Sequence, residues 1–347
     1  MIVWLEGFDV IKPSGIPAST DFPRYNSAIP TTGTIETGRR QGKSFAGKAN
    51  VASSWRTPSL GSDEWWIIGI AARLTRAGDT PIIRFVDGGV GVQLDLDMLA
   101  PASGEGYTTL RVRRGSTVLE SYILEDNDWV YIEMKARIHT SLGQYEVRIN
   151  GEEVMSASGL NTANTGVSGA EKMGFGCGFR SGLPVGESKI DDIYIVKGNE
   201  SFLGNSVVQE TLPSLDGEIM EGSLIGGNTA TECLDDPTGA TDGDSTRMEL
   251  VVDSKIALFD FNLQDFLGDV LAVEVAPVIQ PTTANNVGHD VYIKRGASVA
   301  QVGHVSVPHS QPYKEFPHLM ETDPITTSPW IFSGVGGAQF GVRKTGP

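Results

Sequence analysis

The sequence predicts an all-β protein built in two domains, and three observations carry that prediction. Several segments alternate apolar and polar residues with period two, glycine and proline (42 and 18 of 347 residues) fall in short clusters between them, and no segment carries a long apolar stripe at helical spacing. Length supplies the domain count, because single hydrophobic cores stop growing near about 250–300 residues. A hydrophobic content of 39% is enough to fill two cores.

The strands are read from the alternation. Val92, Leu94, Leu96 and Met98 alternate with Gln93, Asp95 and Asp97, which places the first set inside and the second in water. Val130, Ile132, Met134, Ala136 and Ile138 alternate in the same way with Tyr131, Glu133, Lys135 and Arg137. Tyr145, Val147 and Ile149 repeat the pattern, and Asn150-Gly151 then separates them from Glu152 to Met155. Asn-Gly suits the two positive-φ positions of a type I′ turn, so this pair of strands is a predicted β-hairpin. Further apolar runs lie at Trp65 to Leu74, Ile82 to Val86 and Ile190 to Val196.

After Val196 the chain turns polar through Lys197-Gly198-Asn199-Glu200-Ser201, which sets the first domain at residues 1–198, a connecting segment at 199–214 and the second domain at 215–347. Runs at Met248 to Val252, Ile256 to Phe261, Val270 to Val275, Val291 to Ile293, Val302 to Val307 and Phe340 to Val342 make the second domain all-β as well.

Charge narrows the partners. With 27 Lys and Arg against 43 Asp and Glu, the net charge is −16, so phosphate backbones are repelled and no nucleic-acid partner is expected. The nearest approach to a basic cluster, Arg111, Arg113 and Arg114, reads as a solvated strand face. Cys177 and Cys233 fall in different predicted domains and make neither a disulfide framework nor a zinc site, which suits a reduced assembly compartment such as bacterial cytoplasm. The opening Met-Ile-Val-Trp-Leu-Glu lacks the parts of a secretory signal, and no apolar run approaches membrane-spanning length, so no membrane partner is expected.

Several strings invite chemistry. Gly38-Arg39-Arg40-Gln41-Gly42-Lys43-Ser44 looks like a phosphate-binding loop, but that loop needs its first glycine at position 37, which is Thr37. Glycosidases need two carboxyl groups about 5–10 Å apart. Glu321-Thr322-Asp323 is the closest string to a glucanase strand motif, has Thr326 where the second Glu should be, and lies in the second domain. Asp95 and Asp97 share a strand face and read as its wet side. His304, His309 and His318 lack tight ligand spacing and read as loop or strand-end residues. Asp235, Asp236, Asp242 and Asp244 read as an acidic surface loop; calcium is the one ion left open there, without a specific motif. Trp55, Trp65, Trp66 and Trp129 are candidates for a sugar-stacking platform, with core or rim as the plainer reading. Catalytic, cofactor-binding and metal-ligating residues are therefore left unassigned.

Two resemblances extend this reading. Trp129-Val130-Tyr131-Ile132-Glu133, then Tyr145-Glu146-Val147-Arg148-Ile149-Asn150-Gly151, then Ile190-Asp191-Asp192-Ile193-Tyr194-Ile195 resemble the concanavalin A-like jelly rolls of the laminin G and pentraxin kind. That resemblance implies a lectin-like jelly-roll β-sandwich followed by a smaller C-terminal β-sandwich. Leu5-Glu6-Gly7-Phe8-Asp9, the turn at Thr37 to Gly42, the stretch from Ile190 through Phe202-Leu203-Gly204 to Pro213, and Glu321 to Pro324 with Trp330 and Phe340-Gly341-Val342 look like uncharacterised virion proteins of tailed bacteriophages. What this implies is a structural component of a phage virion, on the tail or as a head fibre or capsid decoration. Such a component would be made in the host cytoplasm, would be without catalysis, and would assemble with other virion proteins as an oligomer, most plausibly a trimer. The alternatives are a carbohydrate-binding adhesin for host-surface polysaccharide and, behind it, a glycan-degrading hydrolase.

Overall fold

The computed structural model describes residues 1–9, 34–39, 43–46, 53–74, 80–89, 91–99, 106–125, 129–177, 188–235, 245–263, 268–281, 285–308 and 313–346. They are almost wholly β, and they divide into two units between Glu210 and Thr211.

The strands of the first unit are β1 (Ile2–Glu6), β2 (Thr34–Thr37), β3 (Lys43–Ala46), β4 (Ser53–Arg56), β5 (Trp65–Arg73), β6 (Thr80–Val86) and β7 (Val92–Leu99). They continue with β8 (Tyr107–Arg114), β9 (Thr117–Glu125), β10 (Val130–Arg137), β11 (Gly143–Ile149), β12 (Glu152–Leu160), β13 (Lys172–Cys177) and β14 (Lys189–Lys197). One sheet runs β12-β11-β10-β5-β14-β3-β2, with β1 also on β14; the other runs β4-β13-β6-β7-β8-β9. Every pairing is antiparallel, and the unit is the predicted jelly-roll sandwich.

The predicted alternation sets the inner faces. Ile68, Ile70, Ile132, Met134 and Ile195 from the first sheet, and Ile83, Phe85, Leu94, Leu96, Met98, Leu110 and Val112 from the second, are fully buried. The β11–β12 hairpin turns on Asn150 (φ 51°) and Gly151 (φ 89°), both left-handed as a type I′ turn requires.

Strand β14 is buried from Lys189 to Val196 because both its edges and both its faces are covered. It pairs β5 along one edge, while along the other it pairs β3 at Lys189 and Ile190 and β1 from Ile193 to Val196. The change of partner falls at Asp191-Asp192, where the register with β5 shifts and Asp192 takes φ 49°. Aspartate tolerates that left-handed conformation better than most residues. Its carboxylate then accepts Val208 N–H (2.8 Å) and the Arg39 guanidinium (3.2 Å), while Asp191 accepts the N–H groups of Arg39 and Asp192.

Residues 199–210, expected to connect the domains, belong with the first unit. Gly204 N–H donates to Glu133, Glu210 N–H to Asp9, and Gly7 N–H to the Glu210 carboxylate. Glu133, expected in water from its place in the alternation, is 1% exposed under this cover and also accepts the Tyr194 hydroxyl.

The second unit contains β15 (Leu215–Met220), β16 (Ser223–Ile225), β17 (Arg247–Glu249), β18 (Ile256–Asp260), β19 (Val273–Val275) and β20 (Val278–Ile279). After these come β21 (Val287–Arg295), β22 (Ser298–Val307), β23 (Lys314–Glu315), β24 (His318–Met320), a one-turn helix α1 (Phe332–Gly336) and β25 (Gln339–Thr345). A five-stranded sheet, β15-β18-β25-β21-β22, is joined by the ladders β16–β17, β19–β24 and β20–β23. Ile293 and Phe340 of the sheet pack with Met320, Trp330, Val335 and Ala338, and Ala257 and Phe259 pack with Ala230.

On the outer face of the first sheet the Tyr194 ring lies across Gly69, where a Cβ would come within 2.1 Å of it. Gly69→Ala is expected to destabilise the first unit by about 1–3 kcal/mol through overpacking, read as a lower urea midpoint at unchanged slope. An unchanged midpoint would show that the ring moves aside without cost.

Candidate functional site

The outer face of the six-stranded sheet carries a row of charged residues. Its registers align Arg56, Gly174, Arg84, Asp95 and Arg113 across β4, β13, β6, β7 and β8. Asp97 and Arg111 form the neighbouring row on β7 and β8. In a chain of net charge −16, this face gathers four arginines against two aspartates.

The two aspartates differ in their partners. Asp97 is 3% exposed and accepts both the Nε–H and an Nη–H of Arg111 (2.8 and 2.7 Å) and an Nη–H of Arg113 (2.6 Å). Asp95 is 8% exposed, its Oδ2 stands 4.0 Å from Arg84 Nε, and its Oδ1 has no hydrogen-bond partner among the described residues. Burial, with the Asp97 charge adding to it, pushes the Asp95 carboxyl up to about 6, against the pull of Arg84, Arg113 and Arg111. Burial also lowers Arg84 from its usual value. A carboxyl that exchanges its proton near neutrality beside cations is a candidate for proton transfer. Arg84 and Arg113 keep about a quarter of their side-chain surface exposed, so these guanidinium groups are reachable, while Asp95 Oδ1 is buried.

These facts correct two expectations. Asp95 and Asp97 are not the wet side of a strand, and Arg111 and Arg113 are not a solvated face but the partners of a buried carboxylate. Arg114 points away from the row and donates to the Asn161 carbonyl. Beside the row, Gln93 is fully buried: its amide donates to Val167 O and its carbonyl accepts Thr165 N–H, which ties the 161–169 segment to β7. Alternation reports which way a side chain points, and the cover here comes from chain about seventy residues away.

The other candidates disperse. Trp66 is in the core with its indole N–H on Asp63 O, and Trp65 lies under Lys135 and Arg137 on the opposite sheet, so they do not form an open stacking platform. The side chain of Trp55 lies outside the described residues, and Trp129 is half-buried just before β10. Asp323 organises a turn by accepting Arg295, Ile325 N–H and Thr326, with Glu321 exposed beside it. His304 bonds Asp290 and His318 sits on β24, while His309, Asp236, Asp242, Asp244 and residues 40–42 lie outside the described residues. Asp235 is exposed, and among the described residues no three His, Cys, Asp or Glu side chains gather as a metal site. No described helix is long and apolar enough to cross a membrane.

No protein-family model matches the chain, and no curated protein does. Solved structures do match. The alginate lyase Aly36B is 12% identical with a TM-score of 0.42, over 56% of this chain and 96% of its own. An endo-β-1,4-glucuronan lyase from the fungus Trichoderma reesei is 10% identical with a TM-score of 0.37, over 57% and 96%. The non-specific endo-β-1,3(4)-glucanase SCLam is 11% identical with a TM-score of 0.36, over 57% and 91%. At these values the likeness is one of fold. The expectation of a virion structural component without catalysis is corrected here: the matches are polysaccharide lyases and glucanases, and the sheet carries an acid–base candidate where only a wet face was expected.

The raised Asp95 carboxyl fixes a sign. Between the unfolded value of 3.8 and about 6 the folded chain holds a proton that the unfolded chain gives up, so Asp95 lowers stability as pH rises through that window. Asp95→Asn is therefore expected to stabilise the first unit at neutral pH, by about 1–3 kcal/mol. Asp97→Asn, which strands two guanidinium groups, is expected to destabilise it by about 3–5 kcal/mol. Denaturant unfolding of both variants checks this, and a destabilising Asp95→Asn would mean that its carboxylate serves the fold.

Proposed function

We propose that the first unit is a glycan-degrading domain that binds an acidic polysaccharide along the arginine row and cleaves it with Asp95 as the proton-transferring group. The observation that carries this reading is the titratable Asp95 carboxyl, whose Oδ1 has no partner among the described residues, set in line with Arg56, Arg84 and Arg113.

The row spans four inter-strand gaps of about 4.8 Å, roughly 19 Å in all, which suits a run of sugar units rather than a single ring. Planar guanidinium groups match carboxylate geometry, so the arginines favour uronic acids over neutral sugars. Gly174, in line between Arg56 and Arg84, leaves the floor there without a side chain.

Arginine pairing with a uronate carboxylate makes the neighbouring C5–H more acidic. Ionised Asp95 takes that proton, the C4–O bond breaks as the C4–C5 double bond forms, and the departing oxygen picks up a proton from water. Hydrolysis through paired carboxyl groups fits less well, because Asp97 already accepts three hydrogen bonds from two arginines. Elimination asks for one base and a cation to neutralise the uronate carboxylate, roles for which Asp95 and the arginines of this face are candidates.

The full chain should be incubated with polyuronates, a glycosaminoglycan and a neutral β-glucan, following the ultraviolet absorbance of unsaturated products and the release of reducing ends. Both signals are expected from an acidic polymer, rising with pH through about 6 as Asp95 ionises. Asp95→Asn is expected to lower kcat by about 100-fold or more, and Arg84→Ala to raise KM. Reducing ends without unsaturation would replace elimination by hydrolysis. Retention of acidic polymers without any product would reduce the site to a binding surface, and no retention would remove the reading.

A further inference from the structure

Histidines of the second unit meet in a way their sequence positions do not announce. His289, on β21, is 3% exposed, and both of its ring nitrogens are buried without a hydrogen-bond partner among the described residues. His318, on β24, has a buried Nε2 in the same condition. The two rings stand 6.4 Å apart, nearly perpendicular, and Phe316 meets His289 edge-on at 5.3 Å. Gly303 of β22 makes room for the pair, since a Cβ there would lie 2.0 Å from His318 Nδ1.

The charged groups around the pair are engaged elsewhere. Asp290, next to His289 on β21, gives its oxygens to His304 of β22 and Arg343 of β25. Lys344, opposite His289 on β25, is bound to Asp253. Glu274 on β19 stands opposite Leu319, one residue from His318, and Glu315 lies on β23. None of these reaches the three orphaned ring nitrogens.

We propose that His289 and His318 form an acid-operated latch, which holds the β19–β24 ladder on the five-stranded sheet while both rings are neutral and releases it when they are protonated. Charging His289 would place a buried cation where neither ring nitrogen has an acceptor among the described residues, and charging His318 as well would set two cations side by side. The ladder is the part able to yield, because its three residue pairs, Val273–Met320, Glu274–Leu319 and Val275–His318, join only its own two strands, and among the described residues it is a two-stranded sheet separate from the five-stranded one. Burial, with His318 and His304 adding to it, moves His289 from the ordinary 6.5 down to about 4, and burial lowers His318 as well. The sign follows: below 6.5 the released form takes up protons that the closed form refuses. The latch therefore weakens as pH falls toward about 4, by up to about tenfold per pH unit for each ring.

The fold supplies its own reporter. Trp330, the only tryptophan after Glu210, is buried and donates its indole N–H to the carbonyl of Met320 at the end of β24 (3.0 Å). Trp66 of the first unit donates to Asp63 O and serves as the internal reference. Indole hydrogen exchange of the full chain, resolved by NMR, should be followed from about pH 7.5 to about 4.5. Trp330 is expected to lose protection relative to Trp66 by at least about tenfold between about pH 6.5 and 5. His318→Leu and His289→Leu are each expected to flatten that change, and His318→Leu alone carries the test should His289→Leu fail to fold. Equal loss at Trp66 and Trp330, a constant ratio across the range, or an unchanged profile in the variants would each overturn the latch.

Discussion

Carboxylates kept out of water on the outer faces of the two sheets are the constraint around which the first unit is organised. An ionised carboxylate cannot be buried cheaply unless donors surround it. On the eight-stranded sheet the donors are backbone N–H groups: Asp9, Asp191, Asp192, Glu133 and Glu210 each accept at least one from chain brought in beside them. The segment up to Glu210 is thus held to the sheet by the need of its acids for partners, and the change of partner strand along β14 follows from the same residues.

The six-stranded sheet solves the problem differently. Its donors are guanidinium groups, and the supply is uneven: Asp97 accepts from two arginines, while Asp95 Oδ1 has no hydrogen-bond partner among the described residues. The two sheets thus differ in their donors, while burial raises a carboxyl on each: Asp191 to about 9, with the Asp192 charge adding to it, and Asp95 to about 6.

Much of the architecture was legible in the chain. Alternation around Leu94 and Met134 gave the inner faces, and Asn150-Gly151 gave the hairpin. The outer faces were not legible, because period two tells which side a residue faces and says nothing of what lies over it. Asp95, Asp97 and Glu133 were expected in water for that reason. The arginine row was hidden more deeply: Arg56, Arg84 and Arg113 come from three separated strands, and only the registers of the sheet set them in line. His289 raised no signal at all, its partners Phe316 and His318 arriving from chain beyond the next strand.

The Asn150-Gly151 turn carries a cost of chemical ageing. Glycine after asparagine leaves its backbone nitrogen free to attack the side-chain amide, closing a succinimide that opens to aspartate or isoaspartate. Here the Asn150 side-chain Oδ1 accepts the Tyr131 N–H at 2.8 Å, and the Asn150 backbone N–H donates to the Tyr131 carbonyl at 2.8 Å, so the side-chain amide is held in a fixed orientation by the neighbouring strand. Isoaspartate would insert an extra backbone carbon where a two-residue turn sets the strand register. The hairpin therefore guards its most labile bond for as long as it stays paired with β10, and deamidation at Asn150 would accumulate as a record of the time it spends open.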